Sequence, residues 1–175
     1  MLTLSTKHLL TGNELSIGEI YNLLLTAKTL KKQRANQDTC QLLAGKYLAL
    51  LFDKPSFRTA ISFKIAMEEL GGRVVESMSS NRKVEEPEDH IQVIAGFCHG
   101  AMVRTFDDES LQRMQKVASI PLINGLSNLY HPCQILADAQ TIIEHKGRME
   151  GQKLAFIGDG NNVFASWAML ATRIP

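Results

Sequence analysis

Ser56, Arg58 and Thr59 stand together in the run Ser56-Phe57-Arg58-Thr59, which separates an apolar stretch from an amphipathic one. At a helix N-terminus, hydroxyls, backbone N–H groups and a guanidinium make a natural cradle for phosphate. The plainer alternative is a routine N-cap serine with a solvated first-turn arginine, since the glycines of a P-loop are missing. Arg104 closes the otherwise apolar run Ala101–Thr105, where an ion pair with Asp107 or Asp108 is as open a reading as a functional one. His131 and Gln134 begin another amphipathic stretch as His131-Pro132-Cys133-Gln134. Proline at the first helical position leaves the imidazole at the cap, and Gln134 one turn on points the same way. A capping histidine and a surface glutamine would look the same. No Cys-His-Asn arrangement supports Cys133 as a nucleophile, and a small buried thiol fits better. Ile157-Gly158-Asp159-Gly160-Asn161-Asn162-Val163 begins like a dinucleotide-binding turn, but Val163 stands where its third glycine belongs. A nicotinamide cofactor is therefore disfavoured, and Asn161 and Asn162 offer polar groups suited to a zwitterion. Two arginines, a histidine, a glutamine and hydroxyls suit a small, doubly charged phosphate compound with a polarisable carbonyl. No paired carboxylates, metal-ligand cluster or serine triad competes, so neither cofactor nor metal is expected.

These residues must be gathered by the elements between them. Ser16–Arg34 has helical periodicity (Ile17, Ile20, Leu23, Leu24, Ala27, Leu30) and a basic C-terminal end that suits the helix dipole. Gly45–Phe52 is a short continuous apolar run, as in a strand buried on both faces. Phe57–Leu70 reads as a helix stopped by Gly71-Gly72, then Arg73–Glu76 as a strand and Ser77–Glu86 as a polar loop. Pro87 opens a helix to about Cys98; Ala101–Thr105 is a strand, Asp108–Ala118 a helix, Ile120–Asn124 a strand, and Pro132–His145 a helix. Beyond a linker at 146–152, Lys153–Gly158 reads as a fifth strand and Asn161–Thr172 as the start of a helix. Alternation of this kind predicts an α/β fold, a parallel four-stranded sheet with helices on both faces. The unit after the linker reads as the first βα unit of a second α/β domain, too small to bury its own apolar face. The expected division is thus 1–146 and 147–175. In such sheets ligands sit beyond the carboxyl ends of the strands, where the first three motifs should meet.

The composition sets the frame. With 175 residues, 45% hydrophobic and 21% charged, the chain can bury a core without disulfide or metal staples. Nineteen basic against 18 acidic residues give a net charge of +1, which would gather neither nucleic acid nor anionic lipid. Apolar runs such as Tyr47–Phe52 are too short to span a bilayer, and the N-terminus lacks the features of a secretory signal. Cys40, Cys98 and Cys133 form an odd set without a CxxC pair and read as reduced thiols of a cytoplasmic protein.

Four runs carry a resemblance to a known family: 52–72 (F-D-K-P-S-F-R-T-A-I-S-F-K-I-A-M-E-E-L-G-G), V-R-T-F at 103–106, H-P-C-Q-I-L-A-D at 131–138 and I-G-D-G-N-N-V at 157–163. In order and spacing they resemble the transcarbamylases, and the H-P-C-Q and G-D-G-N-N-V forms are more similar to ornithine carbamoyltransferase than to the aspartate enzyme. The resemblance covers most of the chain. It implies the carbamoyl-phosphate-binding half of an enzyme that makes citrulline and phosphate from carbamoyl phosphate and L-ornithine, in arginine metabolism, as a homo-trimer. It implies that Ser56, Arg58, Thr59 and the backbone at Phe57 hold the phosphate, and that Arg104 bridges phosphate and carbonyl oxygen. By the same resemblance His131 helps polarise that carbonyl, Gln134 accepts from the carbamoyl NH2 and Asn162 touches the acceptor. Arg58, Arg104 and His131 would be the catalytic set.

The sequence departs from the family pattern at several places. Phe57 stands where the family usually has Thr, and Ala60 where it has a second Arg. The loop Ser77–Asp89 is shorter than the family's, with Ser80 or Asn81 nearest to a Gln that serves a neighbouring subunit. The family's Asp/Ser-Met-Gly and His-Cys-Leu-Pro acceptor motifs have no counterpart in this chain. Two other expectations therefore stand beside the first: a relative that binds carbamoyl phosphate or another anion without turnover, and a transcarbamylase for aspartate or an acylated ornithine.

Overall fold

A computed structural model describes residues 4–78 and 85–174. The positions of Ser80 and Asn81 lie outside the described residues. Four strands, β1 (Tyr47–Phe52), β2 (Arg73–Met78), β3 (Gly100–Arg104) and β4 (Leu122–Leu126), form one sheet in the order β2-β1-β3-β4. All pairings are parallel. Among the described residues six helices join and flank them: α1 (Ile17–Ala35), α2 (Phe57–Glu69), α3 (Pro87–Ala95), α4 (Asp108–Val117), α5 (Pro132–Lys146) and α6 (Asn162–Ala171). The α/β reading with a four-stranded parallel sheet therefore holds.

Side chains alternate across the strands, so each strand serves two cores. Ala49, Leu51, Ala101 and Val103 pack with Ile91 of α3 and Leu111 and Met114 of α4. Leu48, Leu50, Phe52 and Met102 face the other way, onto Met67 of α2. A third cluster joins α1, α5 and α6 through Leu15, Ile20, Leu24, Ile135, Ala139 and Leu170. The N-terminal segment covers the outer side of β4: Leu9 N–H donates to Leu122 O at 2.9 Å, and Asn124 N–H to Leu9 O at 2.8 Å. A covered edge cannot template pairing with another chain.

Strand order fixes where a ligand belongs. From β1 the chain runs through α2 to β2 on one side; from β3 it runs through α4 to β4 on the other. Connections diverge from the adjacent pair β1 and β3, and such a divergence opens a crevice beyond their carboxyl ends. In that crevice lie the first turn of α2 and Arg104, whose register partners are Phe52 and Leu126. Opposite Val103 and Arg104 the ladder skips from Asn124 to Leu126, a bulge at Gly125. A Cβ there would come within 2.2 Å of the Met102 sulfur, which explains the glycine.

Several boundaries differ from the expected ones: β1 starts at Tyr47 rather than Gly45, β2 continues to Met78 into the expected loop, and α3 stops at Ala95. β4 begins two residues late, because Ile120 and Pro121 serve as the lead-in and Pro121 contributes only its carbonyl, to Ala101 N–H. The fifth strand expected at Lys153–Gly158 does not form. Its residues are exposed, Ile157 by 97%, and no neighbouring strand is present among the described residues to complete a ladder. The helix after it does form, and α6 packs its Leu170 into the α1–α5 cluster.

Candidate anion and carbonyl site

Ser16, Asp107 and Asn161 cap the helices they precede by accepting first-turn N–H groups. Ser56 and His131 do not, as Glu86 does not for α3. At α2 the first-turn N–H groups therefore lack a side-chain cap among the described residues. Ser56 turns its hydroxyl to Thr59 instead, donating to Thr59 Oγ1 at 3.0 Å, and the same oxygen accepts from Arg104 Nη1 at 3.3 Å. A hydroxyl that accepts twice keeps its own proton to give away, so Thr59 presents a donor to whatever occupies the crevice.

Arg104 is half-buried at the end of β3. Its Nε is buried without a hydrogen-bond partner among the described residues. Neither Asp107 nor Asp108, the two acids that follow it in sequence, pairs with it among the described residues. Asp107 accepts from Glu109 N–H at 3.0 Å and from Ser110, and Asp108 accepts from Leu129 N–H at 3.1 Å. Burial, and secondly the charge of Arg58, pull the Arg104 guanidinium below the usual arginine range. Arg58 is exposed and forms no ion pair among the described residues. Two cations held within reach of one another, neither paired with a carboxylate among the described residues, could together attract an anion.

His131 sits at the start of α5 with φ −139° and ψ 67°. Its Nδ1 is buried without a partner among the described residues. Burial first, then the positive charge of Arg104, lower its pKa from 6.5, while Asp138 acts the other way. The imidazole is thus held neutral at pH 7, able to donate to a carbonyl without adding a charge beside Arg104. Gln134 is exposed and donates its Nε2 to Asp138 Oδ1 at 2.9 Å, which leaves Oε1 free to accept. Cys133 donates to Asn124 O at 3.4 Å, and burial pushes its thiol up to about 11, so it is no nucleophile at neutral pH.

Structure thus gathers Ser56, Arg58, Thr59, Arg104, His131 and Gln134 around the carboxyl ends of β1, β3 and β4. Phe57 is different. Its ring is 79% exposed, so only its backbone can serve the cradle. Asn162 comes to the same edge from α6, donating its Nδ2 to Ser127 O at 2.8 Å, so its amide oxygen is the group left to offer. One residue escaped the sequence reading. Ser166, 2% exposed, accepts from His131 N–H at 2.8 Å and donates to Asn162 O at 2.7 Å. The available signal was its spacing, four residues after Asn162 and hence on the same face of a helix.

A separate groove of about 810 Å3 lies at the amino ends of the strands (Leu48, Gly100, Pro121, Ile123) and is mostly apolar. Among the described residues no group of three or more His, Cys, Asp or Glu could hold a metal ion, and no helix is long and apolar enough to cross a membrane.

Comparison with known proteins identifies relatives of the chain and of its fold. Residues 7–144 match the carbamoyl-P binding domain of aspartate/ornithine carbamoyltransferase. An ornithine carbamoyltransferase of Methanosarcina mazei is 41% identical over 171 residues, 96% of this chain and 56% of that protein. The solved ornithine carbamoyltransferase from Pyrococcus furiosus superposes with a TM-score of 0.92 at 36% identity, over 98% of this chain and 56% of that one. The catalytic subunit of M. jannaschii aspartate transcarbamoylase follows with a TM-score of 0.85 at 29% identity, over 97% and 58%. The chain spans about half the length of the curated relatives it matches.

Proposed function

Because this chain belongs to the aspartate/ornithine carbamoyltransferase family and carries its carbamoyl-P binding domain, we propose that the crevice at β1 and β3 binds carbamoyl phosphate for transfer to L-ornithine. Ser56, Arg58, Thr59 and the backbone at Phe57 hold the phosphate. Arg104 reaches both phosphate and carbonyl oxygen, and the neutral His131 donates to that oxygen with Thr59. Gln134 Oε1 accepts from the carbamoyl NH2, and Asn162 offers its amide oxygen to the acceptor's ammonium group. The single observation that carries this reading is the pair Arg58 and Arg104 without a carboxylate between them, beside an uncapped helix N-terminus.

In the reaction the neutral δ-amine of ornithine attacks the carbonyl carbon, forming the new N–C bond. Negative charge builds on the carbonyl oxygen, then the C–O bond to phosphate breaks, citrulline forms and the amine sheds a proton as phosphate departs. Fixed donors at that oxygen and at the leaving phosphate contribute about 3–4 kcal/mol each when preorganised. No protein nucleophile is required. We place the division between a donor domain and the start of an acceptor domain near residue 146, and assign the protein to the cytoplasm as a homo-trimer. An anion binder without turnover is the second reading, favoured by the apolar Phe57 ring at the mouth of the cradle. Calorimetric titration with carbamoyl phosphate tests the site that both readings share, and ornithine-dependent citrulline release would exclude the second. Binding without citrulline release is expected of this 175-residue chain, whereas absence of binding refutes the site.

A further inference from the structure

Ser166 is a buried hydroxyl with a single long-range duty. It accepts the backbone N–H of His131 at 2.8 Å and returns its own proton to Asn162 O at 2.7 Å. Helix α6 thereby grips the residue that carries the imidazole, 35 positions earlier in the chain. A second bond, from Asn162 Nδ2 to Ser127 O at 2.8 Å, holds the other end of the same loop. From beneath, the fully buried Asn124 steadies it by donating to Ser127 Oγ at 3.0 Å and to Leu10 O at 2.8 Å. Among the described residues His131 itself has nothing comparable: its side chain makes no cap bond and its Nδ1 has no partner. The ring's place is therefore set through its backbone.

We propose that Ser166 is a positioning residue, whose hydroxyl fixes the His131 backbone so that the imidazole stands over the anion cradle and moves as one with α6. The inference rests on the carbamoyl-phosphate reading of that site. It gives α6 a role beyond carrying Asn162: the helix on the acceptor side also sets the geometry of a donor-side group. Without the hydroxyl, the His131 N–H has only water or nothing to bind, and the loop 127–131 loses one of its two ties to α6.

The test is a double-mutant cycle in the 175-residue chain. Carbamoyl phosphate is titrated into wild type, Ser166→Ala, His131→Ala and the double variant, with a melting curve for each. Ser166→Ala should weaken binding about five- to tenfold, as expected for one buried hydrogen bond. Ser166→Thr, which keeps the hydroxyl, should recover most of it. In the His131→Ala background Ser166→Ala should change affinity less than twofold, because its effect passes through the imidazole. Unchanged affinity in Ser166→Ala, or an equal loss in both backgrounds, overturns the proposal. A second measurement needs no ligand: the His131 ring and amide resonances should shift and broaden in Ser166→Ala and return in Ser166→Thr. An unmoved His131 spectrum overturns the positioning role. If wild type binds no carbamoyl phosphate, the functional reading falls, and this spectrum alone decides the role of Ser166.

Discussion

Arg104→Met should make the ligand-free protein more stable and abolish its response to phosphate. Met keeps most of the apolar stem at the end of β3 and removes the charge. In the wild-type chain the guanidinium keeps a buried Nε without a partner among the described residues and sits within the field of Arg58. An orphaned buried donor costs about 1–3 kcal/mol, against about 1 kcal/mol contributed by the bond from Nη1 to Thr59 Oγ1. The net is about 1 kcal/mol in favour of Met, worth about 2–4 °C in melting temperature for a chain of this size. Inorganic phosphate should reverse the order. At a hundredfold excess over its Kd it stabilises wild type by about 2.7 kcal/mol and leaves the variant unmoved. Thermal melts of both proteins, with and without phosphate, read all four states. A variant that melts below wild type without ligand would show that Arg104 is held by structural contacts. A variant that retains the phosphate-induced rise would place the anion elsewhere.

Three further outcomes follow from the same site. His131 has its pKa lowered from 6.5 by burial and by Arg104, so below about pH 6.5 the unfolded chain binds a proton that the folded chain resists. Stability should therefore fall as pH drops through that window, and His131→Gln should flatten the fall in melting temperature. A slope that the substitution leaves unaltered refutes the assigned environment. Cys133, its thiol pushed up to about 11, should resist iodoacetamide at pH 8 and react only on unfolding; prompt labelling in native protein contradicts its burial. The proposed trimer predicts a scattering mass near three times 19.4 kDa at micromolar concentration, and a clean monomer counts against it.

Alternation of apolar strands with amphipathic helices made the sheet readable because each strand feeds two cores, so its run is continuously apolar. Helix starts were marked by Ser16, Pro87 and Pro132, residues whose chemistry is local. What periodicity could not show was pairing. Leu154 and Phe156 have the pattern of a buried strand, yet the ladder that makes a strand is supplied by a neighbour, and none is present among the described residues. Site residues were legible as types near element ends, while the choice between function and bland capping was not. That choice turned on partners. Ser56 declines to cap α2, and Asp107 and Asp108 spend their carboxylates on their own helix and on Leu129 N–H. Ser166 stayed hidden because a buried serine in a helix is recognised only by what it touches across space.

Arg58 carries the central claim most directly. It is exposed and unpaired among the described residues, in the first turn of α2, so removing it should cost binding and not folding. Calorimetric titration of carbamoyl phosphate into wild type, Arg58→Lys and Arg58→Ala, with parallel melts, measures both. One site per chain is expected in wild type, weaker by about 1–3 kcal/mol in Arg58→Lys, which keeps the charge but loses the planar fork. Arg58→Ala should be weaker still, at an unchanged melting temperature. Wild-type affinity in Arg58→Ala would contradict the account, and so would an unfolded variant, which would make Arg58 a structural residue.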